Sequence, residues 1–175
     1  MQPTIVRLDA AGLDVRLTEL AALLHACVVA GASVGFVLPF EPAAAETFWR
    51  AKVRPGVRDG GRSLWIATTG ARLVGTVQLV YDTPANQPHR AEIAKLLVHP
   101  DCRRQGIARA LMDEAEAEAR RLGRHLITLD TRTGDAAEPL YANLGYATAG
   151  IIPGYCLDAR DPSRRDATTV MYKAL

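Results

Sequence analysis

The 175-residue sequence predicts an α+β fold, a mixed and mostly antiparallel sheet of about seven strands with helices on both faces. Two patterns carry this prediction. Short β-branched or wholly apolar runs recur between turn residues, and residues 90–131 read as strand, helix, strand, a unit that closes right-handed with its two strands parallel. Composition sets the size: 49% hydrophobic and 23% charged residues suit one domain, 1–175, around one core.

Residues 4–8 alternate as a first strand, and 17–30 read as a helix that ends near Gly31. Residues 31–36 are too rich in small side chains for either element, and helical spacing resumes over 41–57 through Ala44, Phe48 and Val53. The runs 63–69 and 73–82, joined through Gly70 and Ala71, predict an antiparallel hairpin. A strand over 90–98 is stopped by Pro100, which has no ladder donor. From Gly106 onward Ile107, Leu111, Met112, Ala115, Ala119 and Leu122 recur at helical spacing, with Gly123 placed to end the helix. A strand over 125–131, a short helix over 136–144 and strands over 147–152 and 168–173 complete the chain, leaving 158–166 as a polar loop.

Lys and Arg number 21 against 19 Asp and Glu, a net charge of +2, so charge alone implies neither a nucleic-acid nor a membrane partner. Any anion must be bound locally. The longest apolar stretch, 20–32, contains His25 and is too short to cross a ~30 Å hydrocarbon core at about 1.5 Å per residue. Cys27, Cys102 and Cys156 form no CxxC pair and no apolar leader follows Met1, which fits reduced thiols in a cytoplasmic protein. His25, His89 and His125 lack metal spacing with one another or with any cysteine, so no metal is expected.

The segment from Leu96 to Ala108 joins a strand directly to the start of the clearest helix. Unpaired amides and the positive end of the helix dipole make such a junction a seat for phosphate, and Arg103 and Arg104 add charge beside it. A solvated basic turn is the competing reading of the same residues. A Walker loop is excluded because no Gly-Lys-Ser or Gly-Lys-Thr occurs, and one glycine is too few for a dinucleotide fingerprint.

Leu96, Val98, Pro100, Arg103, Gly106 and Ala108 match Leu-x-Val-x-Pro-x-x-Arg-x-x-Gly-x-Gly/Ala, and 140–146 match Leu-Tyr-x-x-x-Gly-Phe/Tyr. In these two motifs the chain resembles the GCN5-related N-acetyltransferase (GNAT) superfamily. Over 31–36, 90–92, 129–131 and 152–156 it is similar to a narrower group, the tabtoxin-resistance-like acetyltransferases. The resemblance implies the GNAT fold, acetyl-CoA (coenzyme A) as cofactor, and cofactor contacts from Leu96, Leu97, Val98, Arg103, Arg104, Gln105, Gly106, Ile107, Ala108 and Arg109. One departure stands out: Gly134 occupies a position where many members have a coenzyme-binding Asn.

The resemblance further implies that the strand ending at Val98 parts from its parallel neighbour, so that backbone groups near Leu97 receive the pantetheine arm. An acceptor amine of pKa ~10 is almost wholly protonated at neutral pH and needs a base. Asp130 and Glu92 are the carboxylates placed to serve, directly or through water, and each could equally be a structural carboxylate. Tyr141 matches the family's proton donor to the departing thiolate, and would otherwise read as a packing aromatic. His99 reads as a turn residue rather than a base.

Ser33, Phe36, Trp49 and Tyr155 are the candidate walls of the acceptor pocket, with core packing as the alternative for Trp49 and Tyr155. The expected function is transfer of acetyl to the amine or hydroxyl of a small-molecule acceptor, and the resemblance to the tabtoxin-resistance-like group implies an amino-acid-like toxin or antibiotic. A non-catalytic acyl-CoA sensor and a protein or peptide N-acetyltransferase are the alternatives. The family expectation for assembly is a monomer or homodimer.

Overall fold

A computed structural model describes residues 3–175. Seven strands form one sheet: β1 (Thr4–Leu8), β2 (Arg62–Thr69), β3 (Arg72–Val80), β4 (Arg90–Val98), β5 (Leu126–Arg132), β6 (Ala147–Leu157) and β7 (Arg165–Ala174). Their order is β1-β2-β3-β4-β5-β7-β6. Every neighbouring pair is antiparallel except β4 and β5, which are joined through a helix and therefore run the same way. The mixed sheet expected from the sequence is thus the one observed.

Strand alternation sends side chains into two cores. Leu64, Ile66 and Leu97 pack with α1 (Ala10–Val15), α2 (Leu17–Val29) and α3 (Pro42–Phe48) on one face. Trp65, Val77, Ile93, Ile127 and Leu129 pack with α5 (Ile107–Arg121) and α6 (Ala137–Asn143) on the other, α4 (Arg54–Arg58) lying between α3 and β2 along the chain.

Several boundaries differ from the sequence reading for identifiable reasons. Helix α1 escaped it because the helix is little more than one turn; the Asp9 carboxylate starts it by accepting from the Gly12 N–H at 2.7 Å. The single helix expected over 41–57 is three pieces, α3, a π-helical turn (Trp49–Val53) and α4. Pro55 explains the break, since it offers no N–H to the carbonyl one turn back and its ring crowds that carbonyl. Strands β6 and β7 run beyond 147–152 and 168–173 because their ladder resumes after a register shift between Ile152 and Cys156 that absorbs Pro153 and Gly154.

Helix α5 is the element that places the site. It ends in a Schellman motif: the Arg124 N–H donates to the Ala119 carbonyl at 2.8 Å and the Gly123 N–H to the Arg120 carbonyl at 3.0 Å, with Gly123 at φ 66°. Its first turn lies hard against β3. A Cβ added at Gly75 would stand 3.0 Å from Ile107 Cγ2, 3.1 Å from Leu111 Cδ1 and 3.1 Å from the Leu97 carbonyl oxygen. Gly75→Ala should therefore overpack this contact and lower the unfolding free energy by about 1–3 kcal/mol in urea titrations. A wild-type midpoint in that variant would mean that the contact is slack.

Candidate active site

Strands β4 and β5 pair over three residues only: Arg90 with Leu126, Ala91 with Ile127 and Glu92 with Thr128. Both strands continue, yet the ladder between them stops. The reason lies on the other side of β4, where Ala94 faces Gln78 and Leu97 faces Thr76, so that Lys95 and Leu96 together oppose Val77. Lys95 takes a positive φ of 50° to fit. A bulge of this kind bends its strand and tightens the twist, and here it turns the end of β4 away from β5. The side chains record the slip: Ala91, Ile93, Leu96 and Val98 belong to the α5 face, whereas Leu97 packs on the α2 face.

The opening between the strands is part of a cleft of about 770 Å³. On one wall lie Leu96, Leu97 and Val98 of β4; at its end lies the loop into α5. That loop begins with a 3₁₀ turn (Pro100–Cys102) in which His99 Nδ1 accepts from the Asp101 N–H at 3.3 Å, a turn-side role for His99. Arg104 (φ 63°) and Gly106 (φ 81°) then swing the backbone through left-handed conformations. A Cβ at Gly106 would meet no atom within 4 Å, so within the protein only its positive φ favours glycine.

The first intrahelical bond of α5 runs from the Ala110 N–H to the Gly106 carbonyl at 3.0 Å, and no side chain caps the helix start. The amides of Ile107, Ala108 and Arg109 precede that bond and point out of the helix end, where the dipole adds partial positive charge. All three residues line the cleft together with Arg103, Arg104 and Gly106; Gln105 is exposed and does not. A junction built this way holds an anion with several acceptor oxygens.

Across the gap, β5 and α6 contribute Asp130 and Tyr141. Asp130 Oδ2 lies 3.0 Å from the Thr168 hydroxyl, which is also 3.0 Å from the Thr131 carbonyl. Glu92 lines the cleft as well, half-exposed and 3.6 Å from Arg90 Nη1. Tyr141 is buried, edge-on to Tyr146 with ring centroids 5.8 Å apart. Burial first, then the negative charges of Asp130 and Asp135, push its phenol well above the usual range, so it carries its proton at neutral pH.

The remaining wall comes from residues 31–36 and β6. Ser33 Oγ is 3.5 Å from Cys156 Sγ, and Ser33 and the exposed Tyr155 both line the cleft. Two expected wall residues do not. Trp49 is wholly buried in the π-helical turn and packs in the α2 core; Phe36 packs tilted against Phe40, ring centroids 4.5 Å apart, and edge-on to Phe48 at 5.3 Å. The small residues of the loop leave these aromatics free to pack inward, away from the opening.

With this geometry in hand, the chain's kinship follows from the profile of the acetyltransferase (GNAT) family, which matches residues 31–146. The chain belongs to that family. An uncharacterized N-acetyltransferase in the hisH-hisA intergenic region of Azospirillum brasilense is 30% identical to this GNAT chain over 152 residues, 85% of this chain and 83% of that protein. The human N-acetyltransferase 8 is 35% identical over 94 residues, which span 53% of this chain and 41% of the human protein. Among solved structures, yncA of Salmonella typhimurium with its cofactor acetyl-CoA shares the fold at a TM-score of 0.78 and 18% identity, covering 100% of this chain and 95% of that one.

Among the residues of this GNAT cleft that sequence reasoning passed over are Lys95, Thr168 and Cys27. The one legible signal was Lys95, a charge standing where alternation from Ala91 and Ile93 calls for a core residue. Cys27 donates its thiol to the Val98 carbonyl at 3.5 Å, and desolvation pushes its pKa up to about 11. At pH 8 iodoacetamide should accordingly label Cys102 and Cys156, both partly accessible, well before Cys27. Peptide mass spectrometry of a labelling time course reads the order, and early labelling of Cys27 would contradict the burial described here.

Proposed function

We propose that this GNAT protein is an acetyltransferase that moves the acetyl group of acetyl-CoA to the amine of a small molecule, in the manner of the tabtoxin-resistance-like enzymes it resembles. The observation that carries the reading is the convergence on one cleft of an uncapped helix start flanked by arginines, a stretch of strand unpaired on its β5 side, a carboxylate and a protonated phenol. Bound acetyl-CoA would supply an activated thioester. Arg103, Arg104 and the amides opening α5 would hold its diphosphate. Backbone groups of β4 after Glu92 would pair with its amides as a strand does, and one N–H of that stretch would stabilise charge developing on the thioester oxygen. Single donors of that kind contribute ~3–4 kcal/mol where they have been removed.

The acceptor reaches the cleft as an ammonium, with roughly one molecule in a thousand free at neutral pH for a pKa near ~10. Asp130 serves as the base; its carboxylate meets the Thr168 hydroxyl at 3.0 Å, whereas Glu92 is engaged by the Arg90 guanidinium at 3.6 Å. As nitrogen bonds to the acetyl carbon and the C–S bond breaks, Tyr141 donates a hydrogen bond to the departing sulfur. The ammonium gives up two protons on the way to the amide, one through Asp130 before attack and one from the nitrogen once it is bonded to carbon. Full proton transfer from so weak an acid as Tyr141 to a thiolate of pKa ~8.5 runs uphill, so one of the two ends on the thiol through solvent and the other in bulk water.

Coenzyme A release with a panel of amines tests the assignment. Asp130→Asn should lower kcat/KM at pH 7 by about 100-fold or more, with the deficit shrinking toward pH 10 as free amine becomes abundant. Tyr141→Phe should lower kcat by about 100-fold with little change in KM. Wild-type rates in both variants would remove these roles, and binding of acetyl-CoA without turnover on any acceptor would make the protein a sensor instead.

A further inference from the structure

Lys95 is the residue of the cleft that the chemistry above leaves unused. It sits on the bulge that parts the strands, and its side chain reaches across to the 31–36 loop: the ammonium is 3.9 Å from where a Cβ of Gly35 would stand and 5.6 Å from the centre of the Phe48 ring. Among the described residues no carboxylate lies within 4.0 Å of it and no acceptor receives a hydrogen bond from it. The other charges on that side are committed, Glu92 to Arg90 at 3.6 Å and Asp130 to the Thr168 hydroxyl at 3.0 Å. Arg132, which also lines the cleft, is ringed by Asp135, Asp158 and Asp166 at 3.2, 3.7 and 3.5 Å.

A partly desolvated ammonium without an ion-pair partner is unfavourable, and desolvation here weakens its hold on the proton; Asp130 and Glu92 oppose that weakening through space while the Arg62 guanidinium adds to it. The ring face of Phe48 compensates in part. What the site lacks is an anion in contact. The acceptor side of the cleft therefore has two poles: carboxylates at Asp130 and Glu92 that attract an ammonium, and a lone cation at Lys95.

We infer that the acceptor is an amine that also carries a carboxylate, as an α-amino acid does, and that Lys95 is the specificity residue that binds this carboxylate while Asp130 faces the amine. The inference rests on the acetyl-transfer reading and narrows its substrate class. A protein amino terminus has no such carboxylate beside its amine and is disfavoured by the same geometry.

The experiment compares neutral α-amino acids with their own carboxamides, in coenzyme A release assays on the wild type and on Lys95→Met. The wild type should prefer the acid, and Lys95→Met should cut that preference by about ten- to a hundredfold, through a higher KM for the acid, while leaving kcat/KM for the carboxamide within about threefold. Lys95→Arg should keep the preference for the acid. Taking the ratio between the two enzymes cancels the difference in amine basicity between acid and carboxamide. Equal losses on both acceptors in Lys95→Met, with an unchanged melting temperature and an unchanged KM for acetyl-CoA, would overturn the role of Lys95. No turnover with any amine would instead overturn the acetyl-transfer reading, and the inference with it.

Discussion

A two-for-one mismatch in the β3–β4 ladder is the constraint on which the rest of this molecule turns. Because Lys95 and Leu96 together answer Val77, β4 cannot follow β5 past Glu92, and a sheet that is otherwise continuous opens at its centre. The opening leaves main-chain groups without partners, an arrangement that is costly in a protein interior unless water or a ligand supplies the missing bonds. Two cores, one on each face, hold the sheet open: the α5 core fixes β4 through Ile93, and the α2 core fixes it through Leu97. The slip in side-chain phase between those two residues is the same event seen from the side chains.

The anion seat depends on that placement. Helix α5 begins where β4 ends, and its start is pressed onto β3 at a glycine, so the uncapped amides of Ile107, Ala108 and Arg109 are delivered to the mouth of the opening rather than to bulk solvent. The opposite wall is tied in by longer-range contacts. The Leu38 N–H donates to the Ala159 carbonyl at 2.8 Å, and a Cβ at Gly31 would come within 2.8 Å of Arg160 Nε, so the 31–36 loop and the connection between β6 and β7 are closely packed. Elements remote in sequence thereby meet around one cavity.

Much of this was legible beforehand because the relevant signals are local. The apolar spacing of α5, the glycine that ends it, the hairpin at Gly70 and the boundaries of β4 follow from periodicity and turn chemistry. What stayed hidden required tertiary information. Trp49 looked like a pocket wall because an aromatic beside a loop of small residues can face either way; packing of the π-helical turn sends it inward. The strand expected over 147–152 continues through Pro153 and Gly154, and nothing local distinguishes a stop from a bulge at such a pair. Lys95 was the missed clue, because a lysine in a core-facing position of an otherwise buried strand is a reason to suspect a change of phase.

The central claim, that the unpaired end of β4 and the start of α5 together receive coenzyme A, is most directly tested by amide hydrogen exchange with and without acetyl-CoA. Slower exchange is expected mainly in peptides covering 94–98, which lack a partner on the β5 side, and 104–109, which hold the uncapped start of α5. Unchanged exchange in both segments at saturating ligand, or protection confined to the β6 edge, would contradict it.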